Sequence, residues 1–231
     1  MLLRPDGDAT ICIGQPAHAF LSGQMARAWH PRPEPFEEVC LAATQHDAGM
    51  ADWDADPELN PDTGLPLSFM QMPLETHLRL WSHAPHRVLT QSRYAAILVS
   101  MHGTALYEMR DLDRMSADDA AAVRAYLSEQ RALQERLSEG LDQERLRENQ
   151  KLIWIWDFLS LGLCLRWHGR TVEGITLHEH TIEPWPFAED AISLHTDGRR
   201  LEGRYATEAQ LHAALAEAPW VTLRFELSRR P

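Results

Sequence analysis

Residues 44–49, Thr44-Gln45-His46-Asp47-Ala48-Gly49, contain the pattern on which the predicted fold and function both depend. They end an apolar helical pattern that begins at Phe36 and has Ala43 on its buried stripe. Continuing that stripe at helical spacing reaches His46 and Asp47, so both side chains are predicted to point into the protein. A buried carboxylate is costly unless it is paired, hydrogen bonded or bound to a metal. The pair therefore predicts a buried polar site.

Other predicted helices carry polar side chains on their buried stripes in the same way. Asp157 is the one charged residue in segment 152–165, which is apolar on every side and therefore central. A lone buried histidine is more often a hydrogen-bonded core residue, so the argument rests on convergence in one helical bundle. The six candidate ligands, on five predicted helices, are His18, His46, Asp47, His77, His102 and Asp157.

Imidazoles and carboxylates together suit a divalent transition metal, here Mn, Fe, Zn or Ni, and either one or two ions fit the pattern. The three cysteines, Cys12, Cys40 and Cys164, are far apart in apolar surroundings. They predict buried thiols in a reducing compartment, and neither a disulfide framework nor a thiolate metal site.

Two further patterns are weaker metal candidates. Asp52, Asp54 and Asp56 have the alternation of a calcium loop, but Pro57 stands where that loop requires its turn glycine. The His178-Glu-His180 segment places two imidazoles on one face of a predicted strand, and an exposed strand face is the preferred interpretation.

The whole pattern predicts a mainly α-helical fold, a bundle with a small C-terminal β-rich (α+β) appendage. Residues 1–169 are the predicted helical metal-binding domain, with an inserted helical hairpin at about 116–149. Residues 170–231 are the predicted appendage, with a hairpin signal at Asp197-Gly198, and a strand at Ala9–Ile13 is a candidate to join it. A long irregular segment before the helix at Leu74 is predicted to be a lid over the site.

Charge and hydropathy limit the partners. The chain has 231 residues and a formal net charge of −12, which disfavours binding to long nucleic acid. Segment 152–165 is shorter than the roughly 20 apolar residues that span a bilayer. No basic segment followed by an apolar run begins the sequence, so we expect a cytoplasmic protein without a membrane partner. A nucleotide or other small molecule remains a possible partner, a small phosphorylated molecule being what the resemblance described below implies, and a homodimer is left open.

The order of His18, then His46-Asp47, then Asp157 resembles the HD superfamily of metal-dependent phosphohydrolases. His77 and His102 resemble the two further histidines of members that bind two or more metals. The whole chain is also similar to a prokaryotic family of unknown function with HD-like motifs. The motifs that carry this resemblance are Gln15-Pro-Ala-His18, Gln45-His-Asp-Ala-Gly49, Ser100-Met-His-Gly103 and Trp156-Asp-Phe-Leu-Ser-Leu161.

The resemblance implies a helical bundle that hydrolyses a phosphate ester through a metal-activated water. Asp47 would be the catalytic, shared ligand; His18, His46 and Asp157 would complete one metal site, and His77 with His102 a second. The candidate phosphate contacts are Arg79, Arg93 and Lys151. The alternatives are a non-catalytic metal-binding or ligand-sensing helical module and a purely structural hydrogen-bond network.

Overall fold

The computed structural model describes residues 1–230, in which α-helices provide most of the regular structure. Ser92, Ser116 and Thr207 begin three of the helices, each accepting a hydrogen bond from a backbone N–H of the first turn. The eight helices are α1 (Gln15–Ala28), α2 (Phe36–Gln45), α3 (Ala51–Ala55), α4 (Leu74–Leu89), α5 (Arg93–Glu108), α6 (Ala117–Leu137), α7 (Gln143–Leu165) and α8 (Glu208–Glu217).

The strands of residues 1–230 form three antiparallel sheets. The largest sheet has the order β1-β2-β8-β9, and the others are β3-β4 and β5-β6-β7. The strands are β1 (Leu2–Asp6), β2 (Ala9–Ile13), β3 (Leu59–Asn60), β4 (Leu65–Pro66), β5 (Thr171–Val172), β6 (Ile175–Leu177), β7 (Ile182–Glu183), β8 (Ala191–Glu202) and β9 (Trp220–Ser228).

The prediction of a mainly α-helical fold was wrong, because the protein is α+β. Helices make up 54% of the chain and strands 19%, and the strands include residues from both ends of the sequence. Ile13 of β2 and Leu194 of β8 belong to the same buried cluster as helix residues such as Trp156, so the main sheet packs into the helical core. The strand expected at Ala9–Ile13 is confirmed as β2. The division into domains 1–169 and 170–231 stays a prediction.

The prediction of a hairpin turn at Asp197-Gly198 was also wrong, since β8 runs through both residues. Asp197 lies opposite Thr222 of β9, whose Oγ1 donates to Asp197 Oδ1 at 2.7 Å. A Cβ on Gly198 would lie 2.6 Å from Cγ2 of Ile11, so glycine is needed there for the close approach of β2. The Asp-Gly pair therefore marks a strand contact, and α8 makes the connection between β8 and β9.

The helices that carry the polar site pack directly on one another. α1 contacts α2 and α7, whereas α5 contacts α2, α4, α6 and α7. The expected hairpin region supplies α6 and the first turns of α7, which continues without interruption to Leu165. The cysteines are free and buried. Within residues 1–230, no helix has the length and apolar character needed to cross a bilayer.

Candidate metal centre

Four of the predicted ligands meet in the interior, where the end of α2 lies between α1 and α7. His18 Nε2 lies 2.6 Å from Asp47 Oδ2, and His46 Nε2 lies 3.3 Å from Asp157 Oδ1. His18, His46 and Asp157 each offer one ligand atom, and these three atoms lie within 4.8 Å of one another. All four residues are buried. Side chains separated by up to 139 residues (157 − 18) therefore converge on one point.

The orientation of His46 follows from the way α2 ends. The helix stops at Gln45, and His46 occupies the C-terminal cap, where carbonyls of the last turn lack a helical partner. The Nδ1–H of His46 donates to the Ala43 carbonyl at 2.8 Å. In the neutral imidazole, Nε2 is then the nitrogen with the lone pair, and it has no hydrogen bond within residues 1–230. A buried imidazole lone pair directed at two carboxylates fits a cation.

His18 is oriented by a serine pair on the opposite side of its ring. Ser160 Oγ donates to the Asp157 carbonyl at 2.9 Å and receives a hydrogen bond from Ser22 Oγ at 2.9 Å. The Nδ1–H of His18 therefore donates to Ser160 Oγ, also at 2.9 Å. Nε2 of His18 therefore faces the Asp47 carboxylate at hydrogen-bond distance, where either a shared proton or a cation satisfies both groups.

The electrostatics also require a cation or a bound proton. Burial disfavours ionised Asp47, but the neighbouring His46 and His18 outweigh it and hold the pKa of Asp47 well below its usual range. Burial likewise disfavours charged His46, yet Asp47 and Asp157 outweigh it and raise the pKa of His46 to about 9. The pKa of Asp157 is also lowered, despite burial, by its histidine neighbours. In the metal-free protein the proton on His46 balances one of the two ionised carboxylates, and a divalent cation in its place would balance both.

His102 lies beside the four-residue cluster. Its Nε2 is 3.6 Å from Asp157 Oδ2, and its ring centroid is 4.9 Å from that of His46. Burial is the main reason that the pKa of His102 falls to about 4, so the ring is neutral at physiological pH. Its Nδ1 is buried and has no hydrogen bond among residues 1–230. His102 therefore adds a nitrogen that is free to bind.

His77 differs because both of its nitrogens are engaged. Its Nε2 accepts a hydrogen bond from Trp81 Nε1 at 3.0 Å, which makes Nδ1 the protonated nitrogen that donates to Tyr107 Oη. Burial lowers the pKa of His77 to about 4. A second metal between His77 and His102 would require these bonds to break, so the geometry favours one ion.

A cavity of about 360 Å³ opens directly onto the cluster. His18, Asp47, His102 and Asp157 contribute to its polar wall, and segment 69–72 of the expected lid lies along it. That segment is not a featureless loop, because Ser68 begins a short 3-10 helix at Phe69–Gln71 with reciprocal caps. The cavity gives a small molecule access to the candidate metal ligands.

The predicted phosphate contacts lie elsewhere. Arg79 and Arg93 are exposed and do not line the cavity, and Lys151 Nζ pairs with Glu173 at 2.7 Å. Arg110 lines the cavity instead, and sequence reasoning missed it. Arg110 lies beyond the end of α5 at Glu108, so helical spacing gave no signal for it.

The residues of the two weaker metal patterns do not come together around one point. Asp52 pairs with Arg87, and Asp54 accepts the backbone N–H of Gln15. Asp56 lies 3.2 Å from His212, so the three acids of the calcium-like pattern have three different partners. His180 is exposed, as expected for the strand-face interpretation.

Comparison with known proteins finds one protein-family model that matches most of the chain. Residues 1–203 match a protein-family model described as "Protein of unknown function (DUF3891)". The matched region includes every residue of the cluster and the cavity wall. No curated protein and no solved structure matches the chain.

Proposed function

The chain belongs to the DUF3891 family of proteins of unknown function, and from its buried cluster we propose that it is a metal-dependent hydrolase of a phosphate ester. The substrate would be a phosphomonoester or a phosphodiester, nucleotides included. The observation that carries the proposal is the convergence of His18, His46, Asp47 and Asp157, in which His46 Nε2 is buried without a hydrogen bond beside two carboxylates that line the cavity.

The donor set fits a single divalent transition ion. With Nδ1 engaged elsewhere, His18 and His46 can each offer Nε2 to a metal, and Asp47 and Asp157 can each offer a carboxylate oxygen. Nitrogen and oxygen donors of this kind suit Zn, Fe, Mn or Ni. Removing one partner from a buried charged group leaves the other charge uncompensated, so all four residues are expected to be needed.

When bound, the metal would lower the pKa of a water molecule toward about 7 and so provide a nucleophile at neutral pH. In hydrolysis, the water oxygen forms a bond to phosphorus and the bond from phosphorus to the ester oxygen breaks. The ester oxygen leaves with one proton as an alcohol, and the phosphate keeps the rest of the water.

Hydrolysis of p-nitrophenyl phosphate and bis(p-nitrophenyl) phosphate with added Mn²⁺ tests this function. We expect His46→Gln and Asp157→Asn to lower kcat/KM by at least about 100-fold, since each removes a charge-balanced metal ligand. His86→Gln, a histidine on the exposed side of α4, is the matched control and should retain full activity. Unchanged kcat/KM in the first two variants would contradict the proposal.

The same experiment separates the alternative function. A protein that binds Mn²⁺ through His46 and Asp157, yet hydrolyses neither ester nor any nucleotide, would be a ligand-sensing or metal-binding module.

A further inference from the structure

Arg110 is a cationic side chain on the wall of the cavity. It follows the end of α5, and its guanidinium carbon lies 4.7 Å from the centroid of the Tyr107 ring. Among residues 1–230 it has no carboxylate within 4 Å, whereas exposed Arg114 and Arg131 each pair with an acid. On a chain with a net charge of −12, an arginine without an acidic partner beside a cavity indicates an anionic ligand.

Gln15 supplies a second polar group on the same cavity. It is the first residue of α1, only 4% exposed, and it lines the cavity together with His18 and Asp47. Its Nε2 has no hydrogen bond within residues 1–230. A buried donor without an acceptor is costly, and an oxygen atom of a ligand would satisfy it.

Apart from His77 and Trp81, whose ring nitrogens bond to each other and to Tyr107, the rest of the wall is apolar. Phe69, Met72 and Leu74 contribute from one stretch of chain, and Leu106 and Leu161 from α5 and α7. Such a wall favours an apolar group and leaves the polar edge of a nucleobase without hydrogen-bond partners.

The size of the cavity limits the ligand further. Its volume of about 360 Å³ is near the low end of the roughly 300–1,000 Å³ range of small-molecule pockets. A benzene ring fits a cavity of about 150 Å³, so one ring with one phosphoryl group can be accommodated. A dinucleotide would extend beyond it.

Resting on the proposed function, we propose that the substrate is a small phosphate monoester whose ester group is apolar, such as a single ring or a short alkyl chain. Gln15 Nε2 donates to a phosphoryl oxygen beside the metal ligands, and Arg110 provides the positive charge that attracts the dianion. The apolar wall holds the ester group.

Phenylphosphonate, which cannot be hydrolysed, is a suitable probe, and methylphosphonate has the same charge without the ring. Calorimetric titration of both into the Mn²⁺-loaded protein should show that phenylphosphonate binds at least about tenfold more tightly. Arg110→Gln and Gln15→Leu should each weaken phenylphosphonate binding by about tenfold, as expected for the loss of one good hydrogen bond or charge contact. Arg114→Gln, the matched control, should bind like the parent.

Arg110 is exposed, so Arg110→Gln should fold even if Gln15→Leu does not. Equal affinity for the two phosphonates would overturn the inference. So would an Arg110→Gln variant that binds phenylphosphonate as tightly as Arg114→Gln does. Tighter binding of adenosine monophosphate than of phenylphosphonate would overturn it as well. Mn²⁺ affinity, measured first, distinguishes failure of the proposed function from failure of this inference alone. Without Mn²⁺ binding, both the proposed function and this inference fail; with it, loss of the ring preference overturns this inference alone.

Discussion

The tautomer of each histidine in the metal centre is set by a hydrogen bond outside that centre. The Ala43 carbonyl holds the proton of His46 on Nδ1, and Ser160 Oγ does the same for His18. Both Nε2 atoms are therefore available as ligands without a change of tautomer. Partners of this kind commonly alter metal affinity although they never touch the metal.

Ser160→Ala should weaken metal binding by about 10–100-fold, because the Nδ1–H of His18 loses its acceptor and the ring loses its fixed orientation. Metal titration of the purified variant measures the effect. Ser128→Ala, at an exposed position of α6, is the control and should bind metal like the parent. Equal affinities of the two variants would show that Ser160 has no part in positioning His18.

His77 gives a pH-dependent prediction for the metal-free protein. Its pKa falls from 6.5 to about 4, mainly through burial. Between these values the unfolded chain takes up a proton at His77 and the native protein does not. Stability present above pH 6.5 is therefore lost as pH falls toward 4, by up to about 3 kcal/mol.

Urea unfolding at several pH values between 4 and 7.5, with a chelator present, measures this loss. His77→Gln should show a flatter dependence of the free energy of unfolding on pH, even if it is less stable throughout. His86→Gln removes an exposed histidine and should keep the parent's dependence. A parallel dependence in His77→Gln and the parent would contradict the assignment.

Helical periodicity located the buried side chains because burial of a helix stripe is a local property. It placed His46 and Asp157 inward, and both are buried. It could not show that His77 is engaged by Tyr107, which is 30 residues away. Gln15 appeared only as part of a motif, because nothing local indicates that its side chain lacks a partner.

At the scale of elements, the 3-10 turn after α2 packs closely on α4. A Cβ on Gly49 would lie 2.4 Å from the backbone oxygen of Leu80, which cannot move away as a flexible side chain could. The glycine of the Gln45–Gly49 motif therefore allows the approach of α4 behind His46 and Asp47.

Gly49→Ala should lower the free energy of unfolding by about 1–3 kcal/mol, as overpacking usually does, and should also weaken metal binding. Gly7→Ala is an informative comparison, since a Cβ there meets nothing within 4 Å and only the positive φ of 61° opposes it. It should cost about 1–2 kcal/mol and leave metal binding unchanged. Metal binding by Gly49→Ala equal to that of the parent would contradict the role given to Gly49.

The residues at which helices begin were easier to predict than the way in which strands pair. Ser92, Ser116 and Thr207 are side-chain caps of a kind that sequence shows directly. Asp197-Gly198 has the composition of a hairpin turn, yet β9 pairs with β8 at both residues and β2 pairs with β8 from the next residue, Arg199, onward. Two neighbouring strands override the local turn preference, and nothing in the dipeptide indicates them.

At the scale of the whole molecule, the main sheet and the helices share one core. Leu194 of β8 is buried in the same cluster as Trp156 of α7. The two halves of the sheet, β1-β2 and β8-β9, are separated by residues 14–190. Pairing over such a distance is not visible in local periodicity, which is why the α+β architecture was not predicted.

Leu194→Ala should lower the free energy of unfolding by about 2–5 kcal/mol, in one transition followed equally by helical circular dichroism and tryptophan fluorescence. Leu223→Ala, at a half-buried position of β9, should cost less. Separate transitions for the two signals would show that the sheet unfolds independently of the helices.

The position of a bound metal tests the central claim most directly. Crystals grown with Mn²⁺ or Zn²⁺ and measured at the absorption edge of that metal should give one strong anomalous peak. We predict that it lies about 2.0–2.2 Å from His46 Nε2 and from a carboxylate oxygen of Asp157, with His18 and Asp47 as further ligands. A metal-loaded crystal with no peak there, or with its only peak near His178 and His180, would contradict the account.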